Sequence, residues 1–204
     1  VSAWESGVSS DPETIAFYQA RAPHYVLHSG ETHSHRLDPF LDRLPPGARV
    51  LELGCGGGRD AARIAARGFI VDATDAVPAM VRKANERFAV GARVMAFHEL
   101  DAEREYDAVW AHASLLHCPR PALPGVLAGI HSALVPGGWH FASFKLGEAE
   151  GRDGLGRFYN FPDGDWLESL YRASGWEIVA ADRSAGGGFD NVARDWINLT
   201  VRKA

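Results

Sequence analysis

Cysteine is nearly missing from this chain, with 2 in 204 residues. Two thiols build no disulfide framework, and their scarcity fits a reducing, cytoplasmic setting. Long apolar runs are missing too. None reaches the roughly 20 residues needed to cross a bilayer, and no charged-then-apolar leader opens the chain, so no membrane partner is expected. Basic clusters are the third absence: 21 Lys and Arg stand against 26 Asp and Glu, with no Lys/Arg-rich run. The usual electrostatic footprint of nucleic-acid binding is therefore lacking, and a small-molecule partner is expected instead. Repeats and low-complexity tracts are also lacking, and the glycines at 186–188 are too few for a linker. The chain begins at Val1 rather than Met, which leaves room for a preceding segment. What remains is 46% hydrophobic and long enough for an ample core. It reads as one domain over 1–204, with no signal choosing between a monomer and a homodimer.

The most informative stretch runs from Val50 to Asp60. Val50-Leu51-Glu52-Leu53 reads as a buried parallel strand, which breaks into Gly54-Cys55-Gly56-Gly57-Gly58. Residues without Cβ let the backbone turn sharply and approach a ligand. Ala61, Ala62, Ile64, Ala65 and Ala66 then form a helix that stops at Gly68. Strand, glycine loop and helix together build a nucleotide site in an open α/β sheet. Arg59 stands where a dinucleotide fingerprint needs its third glycine, and no Gly-Lys-Ser/Thr follows. Glu52, inside the strand, would repel a pyrophosphate but suits an ammonium or sulfonium group. The E-x-G-x-G-x-G run resembles the first motif of class I S-adenosylmethionine (SAM)-dependent methyltransferases.

Three further blocks extend the resemblance. Phe69 to Asp75 reads as a second strand closed by an acid about 20 residues past the glycine loop, where such folds bind ribose hydroxyls. Asp72 lies mid-strand, so Asp75 is preferred, with a helix N-cap as its competing role before Val77-Pro78. Arg93 to His98 reads as a third strand, followed by an acidic loop from Glu99 to Glu103. In the family this loop walls the adenine pocket. Ala96, Phe97, Glu99, Leu100 and Asp101 all fall near the contact positions, and a solvated turn is the plain alternative. Tyr106 to Ala111 reads as the fourth strand, and Leu134-Val135-Pro136-Gly137-Gly138 as the turn before a fifth from His140 to Lys145.

The resemblance implies a Rossmann-like α/β three-layer sandwich. Its seven-stranded, mostly parallel sheet would follow the order 3-2-1-4-5-7-6, with strand 7 antiparallel. It divides the chain into an N-terminal helical cap (1–45), a SAM-binding core (46–146), an acceptor-side loop (147–162), and a last helix with the edge strands (163–204). Within these, Ser34 to Leu44 reads as a second cap helix, and Asp163 as the cap of the last helix with Trp166, Leu167, Leu170 and Tyr171 inward. It assigns SAM as cofactor and S-adenosylhomocysteine as product, held by Glu52, Gly54, Cys55, Gly56, Asp75, Ala76, Phe97, Glu99, Leu100, Ala111 and His112. His112, His117 and Tyr25 are the candidate catalytic bases, should the acceptor need one. Tyr18, Tyr25, Lys145, Arg157 and Tyr159 are candidate acceptor contacts, the two cations suiting an anionic acceptor. For each there is a plain counterpart: the apolar face of a helix for Tyr18 and Tyr25, solvated surface charge for Lys145 and Arg157. His112, His117 and Cys118 lack further ligands at zinc spacing, so no metal is assigned.

Phe144-Lys145-Leu146-Gly147-Glu148, Gly151-Arg152-Asp153, Gly156-Arg157-Phe158 and Asp195-Trp196-Ile197-Asn198 look most like small bacterial methyltransferases related to tellurite resistance. That likeness implies a thiol, a chalcogen oxyanion or another small metabolite as acceptor. A SAM-binding regulator without turnover would keep the same cofactor motifs.

Overall fold

The computed structural model describes residues 9–30 and 32–204; the first eight residues assigned to the helical cap lie outside that range. A seven-stranded sheet forms the centre. Its parallel part comprises β1 (Arg49–Leu53), β2 (Ile70–Asp75), β3 (Arg93–Val94), β4 (Tyr106–Ala111) and β5 (Leu134–Lys145). A hairpin of β6 (Gly151–Arg152) and β7 (Phe158–Tyr159) stands apart. The chain closes with β8 (Trp176–Gly186) and β9 (Arg194–Lys203) at the sheet edge, β9 antiparallel to both neighbours. The order is β3-β2-β1-β4-β5-β9-β8. With the detached hairpin set aside, this is the 3-2-1-4-5-7-6 order expected from the sequence.

Successive residues of the central strands feed opposite cores. Val50, Ala108, Trp110 and Phe141 pack with Leu37, Phe40 and Ile64, from α2 (Leu37–Leu41) and α3 (Arg59–Ala66). Leu51, Leu53, Val109, Ala111 and Phe144 pack on the other side with Leu127, Ile130, Leu167 and Tyr171, from α5 (Leu123–Ala133) and α6 (Gly164–Ala173). Sheets buried on both faces need such continuous apolar strands. Asp163 caps α6 by accepting from the amides of Asp165 and Trp166.

Four local expectations give way. The third strand is only two residues long, because Arg93 and Val94 are exposed at the sheet edge and the chain turns into a 3-10 helix at Phe97–Glu99. The fifth strand starts at Leu134 rather than His140, with an irregular register across the Pro-Gly-Gly turn. The second cap helix, expected from Ser34 to Leu44, shortens to α2 with turns on either side. Trp166, expected to face inward on α6, is over a third exposed beneath the Arg120 guanidinium.

The N-terminal helix α1 (Pro12–Ser29) begins where Asp11 accepts from the Thr14 amide at 2.8 Å, and it carries Pro23 inside. It packs on α4 (Pro78–Phe88) through Ala22, Val26, Val77 and Met80. Among the described residues, no helix is long and apolar enough to cross a membrane.

Candidate active site

β1 pairs with β2 on one side and β4 on the other. Strand order reverses there, and in open α/β sheets ligands bind outside the carboxyl ends of strands at such a point. Two connected clefts lie at this place beneath α1. The larger offers about 630 Å³, part of it open to solvent, and is lined by Ser9, Asp11, Thr14, Tyr18, Asp75, Ala76, Met80, Phe97, Ser114 and His117, among others. The smaller, about 460 Å³, is lined by Glu52, Cys55, Gly57, Arg59, Asp60 and His112. Tyr25, Gly54, Gly56 and Ala113 border both.

The glycine loop sets the floor. Gly54 has φ +79°, and a Cβ there would sit 2.4 Å from Ser114 Cβ. Gly56 has φ +53°, and its nearest neighbour to an added Cβ is the Tyr25 ring at 3.9 Å. A side chain at the first would collide with the strand-4 turn, and one at the second would fill the space between loop and α1. Both conformations are ones that residues with a Cβ adopt at a cost.

Two carboxylates face the clefts in different states. Asp75 accepts from the Gly56 amide at 2.9 Å and from the Val77 amide at 2.8 Å, tying β2 to the glycine loop. Burial lifts its pKa to about 6, although those two amides pull it down. The helix cap is Val77, so Asp75 is a loop tie rather than the N-cap of α4. Its competitor Asp72 is taken up by Arg93 and the Tyr106 hydroxyl. Glu52 is 4% exposed, and its Oε2 has no hydrogen-bond partner among the described residues. Burial pushes its pKa well up, reinforced by the nearby charges of Asp60 and Asp75. A buried orphan oxygen of this kind is costly unless a ligand meets it.

The histidines divide between the clefts. His112 stacks on Trp110 and lies 4.0 Å from Asp60, and burial lowers its pKa to about 4. Asp60 is itself committed to the Ser34 amide and to Trp110 Nε1, each at 2.9 Å. His117 lines the larger cleft; its Nδ1 meets the Phe158 carbonyl and its Nε2 the Tyr18 hydroxyl at 3.1 Å. Burial lowers it to about 4 as well.

Thus Glu52, Gly54, Cys55, Gly56, Asp75, Ala76, Phe97, His112, His117, Tyr18 and Tyr25 all line one or both clefts. Six others do not line either cleft. Ala111 is fully buried in the core, and Ala113 and Ser114, two and three residues further on, take its place. Glu99 is exposed and bonds the Ala96 amide, while Leu100 packs against the core. Arg157, 2% exposed, is held by Asp153 at 2.9 and 2.6 Å and donates to Tyr18. Lys145, 2% exposed, lies 3.6 Å from Asp190 and over the Tyr159 ring. Tyr159 stacks on Phe161. Neither the solvated-charge reading nor an open anion site describes these two cations. Sequence reasoning missed Ser9, Ser10 and Thr14, whose only signal was the Ser-Ser-Asp-Pro cluster opening α1.

Residues 50–138 match the family model described as a methyltransferase domain. A ubiquinone biosynthesis O-methyltransferase of Xylella fastidiosa is 33% identical over 138 residues, covering 64% of this chain and 54% of that protein. The chain thus spans about half the length of the curated relatives it matches. Among solved structures, the Burkholderia thailandensis 1,6-didemethyltoxoflavin-N1-methyltransferase, with bound 1,6-didemethyltoxoflavin and S-adenosylhomocysteine, superposes with a TM-score of 0.73. It is 23% identical, with 98% of this chain and 93% of that one covered. TehB from Haemophilus influenzae gives 0.70 at 15% identity, covering 92% and 67%. At those identities the likeness is one of fold.

Proposed function

We infer that this chain, whose residues 50–138 match the methyltransferase-domain family model, transfers a methyl group from SAM to a small-molecule acceptor by in-line displacement. The observation that carries the reading is Glu52. Its buried, unpartnered Oε2 opens onto a glycine cradle, with a second carboxylate, Asp75, at the neighbouring strand end. That donor set fits SAM: an acid for an ammonium group, an acid for the ribose diol, and glycines that let the ligand lie against the backbone. Phe97, Met80 and Ala76 offer an apolar wall for a base. Bound SAM would supply a methyl group on a positively charged sulfur, already activated for displacement.

The protein's own part is alignment and exclusion of water. Holding nucleophile and methyl carbon in line is worth roughly 7–11 kcal/mol in favourable cases. Tyr25 and Tyr18 on α1 roof the clefts and meet edge to face at 5.1 Å, which supports a role for that helix in shielding the reaction. A dinucleotide-binding nicotinamide enzyme, the rival reading, is opposed by Glu52 and by Arg59 in place of the third glycine. Turnover separates an enzyme from a SAM-binding regulator. S-adenosylhomocysteine is expected to accumulate only when an acceptor is added to protein and SAM; tight SAM binding with no product across a broad acceptor set would favour the regulator.

Asp75 gives the reading a pH signature. A raised acid pKa means that the folded protein holds this proton more tightly than the unfolded chain, so between pH 4 and 6 a rise in pH costs stability. Binding runs the other way, because ribose hydroxyls donate best to the ionised carboxylate. SAM affinity is expected to fall as pH drops through about 6, Asp75 contributing up to about tenfold per pH unit. Asp75→Asn should remove that contribution in calorimetric titrations, leaving what Glu52, whose pKa burial also raises, adds.

A further inference from the structure

A hydrogen-bonded chain whose proton positions are fixed by its ends reaches the larger cleft through Tyr18 and His117. Asp153, an acceptor only, takes Arg157 Nε and Nη2. Arg157 Nη1 donates to the Tyr18 oxygen at 2.9 Å. That leaves the Tyr18 hydrogen free to point along its contact with His117 Nε2 at 3.1 Å. At the far side, His117 Nδ1 must donate, because its partner is the Phe158 carbonyl. His117 is therefore a neutral imidazole with its proton on Nδ1 and its lone pair on Nε2, and burial keeps it neutral with a pKa near 4. Tyr18 and His117 are 99 positions apart in sequence and both line the cleft. Chain order alone gives no reason for their meeting.

The same cleft is poor in positive charge. Among its described lining residues there is no Lys or Arg, and Asp11 is already paired with Arg152 at 2.9 Å on both oxygens. An oxyanion entering here would find no cation to replace its water. A neutral molecule with an apolar body would find Tyr18, Tyr25 and Ile15 on one side, with Ser114 Oγ unpartnered on the wall.

Resting on the methyl-transfer reading above, we propose that the acceptor is a neutral hydroxylated aromatic compound, and that Tyr18 and His117 form a proton relay that deprotonates its hydroxyl. The acceptor oxygen bonds to the methyl carbon as the carbon–sulfur bond breaks, and the sulfur keeps that electron pair. The hydroxyl proton passes to the Tyr18 oxygen while the Tyr18 proton passes to His117 Nε2, leaving an imidazolium that later returns it to water. A base this weak is sufficient, because an alkylated hydroxyl becomes strongly acidic as the new bond forms. Arg157 is a positioning residue: it donates to the Tyr18 oxygen and so leaves the hydroxyl hydrogen for His117.

The test uses the whole chain with labelled SAM and four probes: catechol, 4-nitrophenol, selenite and 2-mercaptoethanol. Catechol methylation is expected, with little on selenite or the thiol. Tyr18→Phe, which keeps the ring packing, and His117→Gln should each lower catechol turnover about 10²-fold at neutral pH. Both should lose far less with 4-nitrophenol below its pKa, where the molecule is neutral but its hydroxyl is much more acidic and leans less on a base. Equal losses on the two phenols would reduce the pair to a structural role and overturn the relay. Methylation of selenite or the thiol with both phenols inert, or no phenol methylated by protein that binds SAM, would overturn the acceptor class. Failure of the folded protein to bind SAM would overturn the methyl-transfer reading instead.

Discussion

Asp75→Ala is expected to weaken SAM binding about 10²–10⁴-fold. Two hydrogen bonds to an ionised carboxylate are worth about 1.5–3 kcal/mol each, and each 1.4 kcal/mol is a factor of ten. The aspartate is also the tie between β2 and the Gly56 amide, so its loss loosens the cradle that the ligand must lie against. Calorimetric titration of wild type and variant checks this, with thermal melting to establish that both are folded. Affinity within threefold of wild type would remove Asp75 from the site. Gly56→Val should give a similar loss by a different route, since its Cβ would enter the gap beneath Tyr25 rather than remove a contact.

Arg157→Met is expected to destabilise the protein by about 3–5 kcal/mol, the usual result of stripping one partner from a buried ion pair. Asp153 would be left fully buried with only the amides of residues 155 and 157 to meet its charge. The double change Asp153→Asn with Arg157→Met should recover most of that loss, because the orphaned charge is gone. Urea denaturation of the wild type and the two variants measures both quantities. A single variant within 1 kcal/mol of wild type would mean that Arg157 is not the structural cation described above.

Much of the architecture was legible because parallel strands covered on both faces must be short apolar runs. Val50–Leu53, Phe69–Asp75 and Tyr106–Ala111 are such runs, the first two punctuated by glycine or acid at their carboxyl ends. The third strand failed as a reading because Arg93 to His98 looks extended, yet only two of its residues find partners on β2. The β6–β7 hairpin could not be read at all. Two-residue strands carry no periodicity, and what holds this pair in place includes the bidentate Asp153–Arg157 contact and a bond from the Phe158 amide to Thr14.

The site divides in the same way. The cofactor half follows the strand ends, so Glu52, Gly54, Gly56 and Asp75 could be picked from local pattern. Its far edge slipped from Ala111 to Ala113 and Ser114, because the chain makes a left-handed turn at Ala113, φ +53°, just past β4. The proposed acceptor half draws on α1, the turn after β4 and the hairpin behind them, and no spacing rule joins residues 18, 117 and 157. Their chemistry is visible only where the fold brings them together. The cations that looked like anion ligands in sequence turn out to be internal partners of Asp153 and Asp190.

The most direct test is isothermal titration of the protein with SAM, S-adenosylhomocysteine and NAD side by side. The account predicts saturable binding of the first two at a single site and none of NAD. Binding of NAD in preference to SAM, or of none of the three by protein shown to be folded, would contradict it.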